Sequence, residues 1–423
     1  MSRVAVVGTG YVGLTTGACL AHLGHEVVCA DVVAEKVERL SQGHIPIFES
    51  GLEQLVRDGL AARRLSFVLG AAHAVDGAEF VFLCVPTPQR HDGSADMSYI
   101  EGAAHEIAPH LGTGTVVINK STVPVGSARV VEQALAREDV FVVSNPEFLR
   151  EGTAVHDWLN PDRIVIGSED PAAAIRVASL FEALRAPLLV TDPASAETIK
   201  YASNAFLATK VSFVNAVANL CEAVGADVRE VVLGMGYDKR IGFEFLKPGP
   251  GWGGSCFPKD TRALVHIGNR ADYDFSLLRG VIAVNEEQYD RVATKILQMA
   301  GTPLDGRTVA VWGLTYKAGT DDTRESPALE VVRRLQERGA SVRAYDPEAR
   351  TEVPGIERCA DPYAACQEAA VLAVLTEWDE FRWLDLEKVR AEMAQPRIVD
   401  ARNLLDPAAV RRHGFLYEGL GRR

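Results

Sequence analysis

Paired cysteines are missing from this chain. Its seven cysteines, Cys19, Cys29, Cys84, Cys221, Cys256, Cys359 and Cys366, are widely spaced and none falls in a CxxC. An odd, scattered set argues against a disulfide framework and against a zinc site, and it fits a reducing cytosol. No metal is expected, and the expected location is cytoplasmic. A basic excess is missing too: Lys plus Arg number 44 against 57 Asp plus Glu, a net charge of −13. A chain this acidic is a poor general binder of nucleic acid or anionic membrane, so neither is an expected partner. Runs of like charge are absent, which excludes a charged tail. One uncharged stretch, Val4 to His25, follows Arg3 and superficially resembles a signal peptide or a membrane span. Gly8, Gly10, Gly13, Gly17 and Gly24 interrupt it, so it reads better as strand, glycine turn and helix.

What is present is ordinary globular material. The 423 residues are 47% apolar and 24% charged. At about 150 residues per domain, that length suggests two or three domains. Val4–Val7, Glu26–Asp31, Phe80–Val85, Thr115–Asn119 and Val140–Val143 are short apolar runs with room for helices between them. Continuous runs, rather than alternation, predict parallel strands covered on both faces. From about Ala194 to Val224 the pattern turns helical, with no Pro or Gly between Ala194 and Leu220. This predicts one long helix, serving as a spine or dimer interface or simply as a core helix. Strands then resume at Thr308–Gly313, Ser341–Asp346 and Ala370–Leu375. The expected fold is α/β: two doubly wound Rossmann-like domains joined by a long central helix. The expected domains are residues 1–193, a central helical segment 194–300, and residues 301–423.

Gly8-Thr9-Gly10-Tyr11-Val12-Gly13 fits GxGxxG. The pattern alone is weak, but here it follows a strand, opens a helix, and precedes a second strand ending in Asp31. Gly8 permits the tight turn, Gly10 lets a pyrophosphate approach the backbone, and Gly13 lets helix and strand pack. The helix N-terminus offers N–H groups to the pyrophosphate. Asp31 can accept from ribose hydroxyls and would repel a 2′-phosphate, so the expected cofactor is NAD rather than NADP. The second α/β half has lost the fingerprint, since Gly313-Leu314-Thr315-Tyr316-Lys317 follows its first strand. It is expected to bind something other than a dinucleotide.

The most unusual stretch is Gly249-Pro250-Gly251-Trp252-Gly253-Gly254-Ser255-Cys256-Phe257-Pro258-Lys259-Asp260. Glycines permit close backbone approach to a ligand. Lys259 favours a thiolate and Asp260 opposes it. The pattern alone leaves two readings open for Cys256: a nucleophile, or a buried cysteine at a tight turn. A dehydrogenase with a nucleophilic thiol fits oxidation of an alcohol to an acid. The thiolate traps the aldehyde as a thiohemiacetal, which can release a second hydride to leave a thioester.

With these motifs the chain resembles the UDP-glucose/GDP-mannose dehydrogenase family, in its UDP-glucose branch. The resemblance spans nearly the whole chain. It rests on the fingerprint, Val85-Pro86-Thr87-Pro88, Ser121-Thr122-Val123-Pro124-Val125-Gly126 and Asn145 to Gly152. It also rests on Lys200 to Phe206, the Cys256 loop and Asp322-Thr323-Arg324-Glu325-Ser326. It implies oxidation of UDP-glucose to UDP-glucuronate with two NAD, and the long helix with Arg240 suggests at least a homodimer. It implies Cys256 as nucleophile, Lys200 as the cation at the developing alkoxide, and Asn204 as a second donor there. Asp260 and Thr122 would hold or activate water, and Glu151 would be the base for thioester hydrolysis. Cofactor contacts would include Tyr11, Val12, Lys36, Pro86, Thr87, Thr122, Glu151, Lys259 and Arg324. Glu147, Phe148, Leu149, Arg150, Lys200 and Asn204 would meet the sugar. Phe245, Leu246, Lys247, Gly253, Tyr316, Lys317 and Arg402 would meet the nucleotide, and Arg240 would reach across from a neighbouring subunit.

Read without the resemblance, Lys200 and Asn204 on a long helix are more often solvated surface residues, and so are Glu147 and Glu151. Lys200 and Asn204 do lie one helical turn apart and share a face, so both can address one oxyanion. Three rivals compete: the GDP-mannose branch, a one-step hydroxyacid dehydrogenase that needs no Cys256, and a non-catalytic sensor. Uracil recognition rests mainly on backbone contacts, which leaves a TDP sugar open.

Overall fold

In the computed structural model, which describes residues 1–90, 94–301 and 306–422, the apolar runs form parallel strands as expected. The first sheet holds β1 (Arg3–Val7), β2 (Glu26–Asp31), β3 (Leu65–Leu69), β4 (Phe80–Leu83), β5 (Val116–Asn119), β6 (Phe141–Ser144), β7 (Ile164–Gly167) and β8 (Leu188–Thr191). Their spatial order is β3-β2-β1-β4-β5-β6-β7-β8. Strands β1 to β6 are parallel; β7 joins β6 antiparallel through the Ser144–Gly167 pair, and β8 runs parallel to β7. Along β1, Val4 and Val6 enter one core with Leu14 and Ala18, while Ala5 and Val7 enter another with Val75 and Ile100. Burial of every successive residue is why the run carries no alternation.

The second sheet repeats the plan with β9 (Thr308–Trp312), β10 (Ser341–Tyr345), β11 (Ile356–Arg358), β12 (Ala369–Val374), β13 (Arg397–Asp400) and β14 (Leu416–Gly419). Its order is β11-β10-β9-β12-β13-β14, all parallel. Val309 and Val311 pack on Val331 and Leu335, while Ala310 and Trp312 pack toward Phe381. The predicted long helix spans Pro193–Val224. The chain divides into two compact units, Met1–Ser203 and Asn204–Arg423, and the division falls inside that helix.

The second sheet's lost fingerprint has a structural counterpart. Asp346 follows β10 where a ribose-binding acid stands in a dinucleotide fold. Its Oδ2 accepts from the N–H groups of Leu314 and Thr315, the Thr315 hydroxyl and the Trp378 indole, at 2.7 to 3.1 Å. Its Oδ1 accepts from the Glu348 and Ala349 N–H groups at 2.9 and 2.8 Å. The buried carboxylate is spent on its own turn, and no ribose hydroxyl has an oxygen to meet.

Candidate active site

The dinucleotide turn is built by contact. A Cβ on Gly13 would lie 1.9 Å from the Gly8 carbonyl oxygen, so the fingerprint helix, Tyr11–His22, can pack on its turn only with glycine there. Around Gly10 nothing lies within 4 Å of a Cβ position, which leaves room for a phosphate. Val12 packs partly into the core behind. Asp31, at the end of β2, accepts from Thr9 N at 3.1 Å, Thr9 Oγ1 at 2.5 Å and Lys36 Nζ at 2.7 Å. Burial alone would raise its carboxyl; Lys36 and Thr9 outweigh that and hold it down to about 2. The Tyr11 hydroxyl donates to the buried Glu49, and the Gly152 N–H reaches the Tyr11 oxygen at 2.9 Å and Glu49 Oε2 at 2.8 Å. The loop carrying Glu151 is thereby tied to the fingerprint helix. Burial, with Glu49 beside it, pushes the Tyr11 phenol far up.

Thr87, in the loop after β4, donates to the Thr122 carbonyl at 2.8 Å, and Ser121 Oγ donates to the Val85 carbonyl at 2.7 Å. Pro86 stands exposed in that loop. The Thr122 loop ends at Gly126, and the buried Glu197 carboxylate accepts from Gly126 N at 2.6 Å and Ala128 N at 3.0 Å.

Glu147 and Lys200 are both buried, against the expectation for such residues read alone. Lys200 Nζ donates to the Glu147 carbonyl at 2.7 Å and to its Oε1 at 2.8 Å. Glu147 Oε2 accepts the Leu149 N–H at 2.7 Å. Burial would raise this carboxyl, but Lys200, the Leu149 N–H and Lys120 bring it below its ordinary value. The buried Lys120 ammonium donates to Asn145 Oδ1 at 2.9 Å, and burial lowers it to about 8. Phe148 carries the Arg163 guanidinium 3.5 Å above its ring, and Arg150 pairs with Asp157 at 2.6 Å.

In the second unit Cys256 is the N-cap residue of the helix Phe257–Arg270 and is half-buried. A helix N-terminus favours negative charge on such a sulfur. Ser255 Oγ lies 3.6 Å from its Sγ. In the first turn Asp260 is fully buried; it accepts from Asn204 Nδ2 at 2.6 Å and from Lys259 Nζ at 2.5 Å. Asn204 is buried too. Of the other six cysteines five are buried, and Cys359 is partly exposed.

The loop before Cys256 lies against the second sheet's turns. A Cβ on Gly253 would meet the Glu325 carbonyl at 1.9 Å, and one on Gly254 would meet the Tyr316 ring at 2.8 Å. Arg402 donates to the Tyr316 carbonyl at 3.0 Å and pairs with Glu377 at 3.0 Å. Lys317 lies 5.5 Å from the Tyr316 ring centre. Arg324 pairs with Asp322 at 2.7 Å. Phe245 sits 6.2 Å from the Phe257 ring beside the thiol, Leu246 is buried and Lys247 is exposed. Arg240 is almost fully exposed and pairs with Asp238 of its own chain. Among the described residues no His, Cys, Asp or Glu side chains gather as metal ligands, and no helix is long and apolar enough to cross a membrane.

Three family profiles match in register with these parts. Residues 2–185 match the NAD binding domain of the UDP-glucose/GDP-mannose dehydrogenase family, 194–287 its central domain and 310–407 its UDP binding domain. The chain belongs to that family. It is 46% identical to a UDP-glucose 6-dehydrogenase of Rhizobium meliloti, covering 99% of each chain. It is 44% identical to the UDP-glucose 6-dehydrogenase TuaD of Bacillus subtilis, covering 100% of this chain and 94% of that one. A solved UDP-glucose dehydrogenase from Pyrobaculum islandicum superposes with a TM-score of 0.92 at 39% identity, covering 100% of this chain and 98% of that one.

As a member of this dehydrogenase family the chain uses NAD, and its open Gly10 and ionised Asp31 suit that cofactor. Asp31→Ala should weaken NAD binding about ten- to a hundredfold, the worth of a charge-assisted hydrogen bond, measured by titrating NAD against intrinsic fluorescence. With the carboxyl held at about 2, wild-type NAD affinity should show no inflection from Asp31 above pH ~4. Sequence reasoning missed Glu49, Lys120, Glu197, Ser212, Asn215, Asn285 and Tyr289. The long helix did carry a signal for some of them, because Glu197, Lys200, Asn204, Ser212, Asn215 and Asn219 recur at helical spacing.

Proposed function

We propose that this chain oxidises the C6 alcohol of UDP-glucose to the carboxylate of UDP-glucuronate, a four-electron oxidation that reduces two NAD. The observation that carries the reading is Cys256: a half-buried thiol at a helix N-terminus, one turn from an Asp260 bonded to both Asn204 and Lys259. A dehydrogenase that stops at the aldehyde needs no nucleophile. The overall balance is R–CH2OH + 2 NAD+ + H2O giving R–COO− + 2 NADH + 3 H+.

Bound NAD supplies the hydride acceptor in both oxidations. Lys200, held by Glu147, places a cation at the alkoxide oxygen. Asn204 spends one N–H on Asp260 and keeps a second for the same oxygen. The Cys256 thiolate adds to the aldehyde carbon, and the second hydride leaves from that thiohemiacetal. Water ordered by Asp260 and Thr122, and deprotonated by Glu151, then cleaves the thioester and frees the thiol. Glu147, Phe148, Leu149 and Arg150 would face the sugar. Tyr316, Lys317, Arg402, Gly253 and the Phe245–Lys247 loop would face the nucleotide. In this reading residues 1–193 bind NAD, 194–300 carry the thiol loop, and 301–423 bind the nucleotide sugar.

The protein would act as a cytoplasmic homodimer. Phe206, Phe213, Leu220 and Val224 lie exposed at helical spacing along the long helix, a stripe that a second copy would cover. Counting NADH released per UDP-glucose consumed tests the reaction. The expected value is two; a value of one would mean oxidation stops at the aldehyde. Turnover of GDP-mannose in preference to UDP-glucose would move the chain to the other branch, and no NADH from any nucleotide sugar would sink the assignment.

A further inference from the structure

We propose that Asn285 and Tyr289, on the helix Ser276–Ala300, are positioning residues that fix Cys256 by clamping the backbone of Trp252. The inference rests on the reading of Cys256 as the nucleophile. The segment Gly249–Gly254 belongs to no helix or strand, so its backbone groups need partners from elsewhere. They find them on side chains. Asn285 Oδ1 accepts from Trp252 N at 2.8 Å, and Asn285 Nδ2 donates to Trp252 O at 3.0 Å. Tyr289 OH donates to the same carbonyl at 2.7 Å and accepts from Asn285 at 2.6 Å. The Trp252 indole donates to Ser212 Oγ at 2.8 Å. One residue thus has its N–H, its carbonyl and its side chain all held by buried polar groups.

The grip extends in both directions. Upstream, Gly249 N donates to Asn215 Oδ1 at 2.8 Å and Gly249 O accepts from Gln288 at 2.9 Å. Gly251 is pressed so close that a Cβ there would lie 2.4 Å from the Tyr289 ring. Downstream, Gly254 N reaches the Glu325 carbonyl at 3.3 Å, and only Gly253, Gly254 and Ser255 separate Trp252 from the thiol. A glycine-rich loop is otherwise free to sample many conformations. Buried polar side chains cost more than apolar packing unless they are satisfied, and a satisfied network specifies one geometry. What it specifies here is the path of the chain into the N-cap of the thiol helix. A displacement of about 1 Å at a reacting atom can cost about a hundredfold in rate.

The test uses Tyr289→Phe, which keeps the ring and removes one donor, and Asn285→Asp, which keeps the acceptor and removes the donor. Three quantities are read: kcat and KM for UDP-glucose, the rate of Cys256 alkylation by iodoacetamide followed by peptide mass, and the NAD dissociation constant. The expected result is a graded fall in kcat, about threefold for Tyr289→Phe and tenfold or more for Asn285→Asp. The Cys256 alkylation rate should change at least threefold, with NAD affinity unchanged. An unchanged alkylation rate, with kcat falling only as far as loss of folded protein explains, would overturn the clamp. An altered alkylation rate in a protein whose wild type oxidises no nucleotide sugar would leave the clamp standing and remove the proposed reaction instead.

Discussion

Cys256→Ala should stop uronate formation, with the rate of acid release falling by about four orders of magnitude or more, as removal of a covalent nucleophile does. The first hydride transfer needs a base and an oxyanion site, not a thiol, so the variant should still interconvert alcohol and aldehyde. Without the thiol, the aldehyde carbon lacks the tetrahedral adduct that delivers the second hydride. The check is product analysis beside NADH counting: aldehyde or its hydrate, and less than two NADH per substrate. Cys359→Ala is the control, because Cys359 is the other partly exposed thiol yet sits at the edge of the second sheet, where it donates to the Glu357 carbonyl. It should run at the wild-type rate. Uronate at the wild-type rate from Cys256→Ala would end the thioester mechanism.

The parts of this molecule that were legible in sequence are those whose physics is local. The fingerprint turn is set by contacts between near neighbours, Gly8 and Gly13, and the apolar strands declare themselves by composition. Strands β3, β7, β8, β11, β13 and β14 were not read. In β3 exposed Ser66 interrupts buried Leu65 and Phe67, β8 lies half-exposed at a sheet edge, and β11 has three residues. Such strands owe their state to a neighbour already in place. The long helix was legible as a helix, but not in its orientation. Glu197, Lys200, Asn204, Ser212 and Asn215 are buried, while Phe206, Phe213, Leu220 and Val224 are exposed. Ordinary amphipathic reasoning puts the apolar stripe inside. Here each inward polar group has a partner far away in sequence. Glu197 meets Gly126, Lys200 meets Glu147, Asn204 meets Asp260, and Asn215 meets Gly249. A buried charge is invisible until its partner is known, which is why Glu147 and Lys200, taken singly, read as surface residues.

That mutual dependence gives the second large effect. Lys200→Met should destabilise the protein by about 3–5 kcal/mol, because it leaves the Glu147 carboxylate buried without its cation. The double variant Lys200→Met with Glu147→Gln should recover much of that loss, since neither buried charge remains. Activity should separate from stability: both variants should lose catalysis, because no cation remains for the alkoxide. Urea denaturation followed by far-UV circular dichroism, with NADH assays in parallel, measures both. The pH dependence has a definite sign. The folded Glu147 carboxyl lies below its ordinary value, so its contribution is fully present above the unfolded pKa, about 4.3, and is lost as pH falls through the folded value. The stability gap between wild type and Glu147→Gln should therefore be widest near neutrality and should close in acid. A gap that stays constant down to acid unfolding would mean that packing rather than charge holds this pair. A Lys200→Met protein as stable as wild type would mean that Glu147 takes up a proton instead, and that its burial does not depend on the lysine.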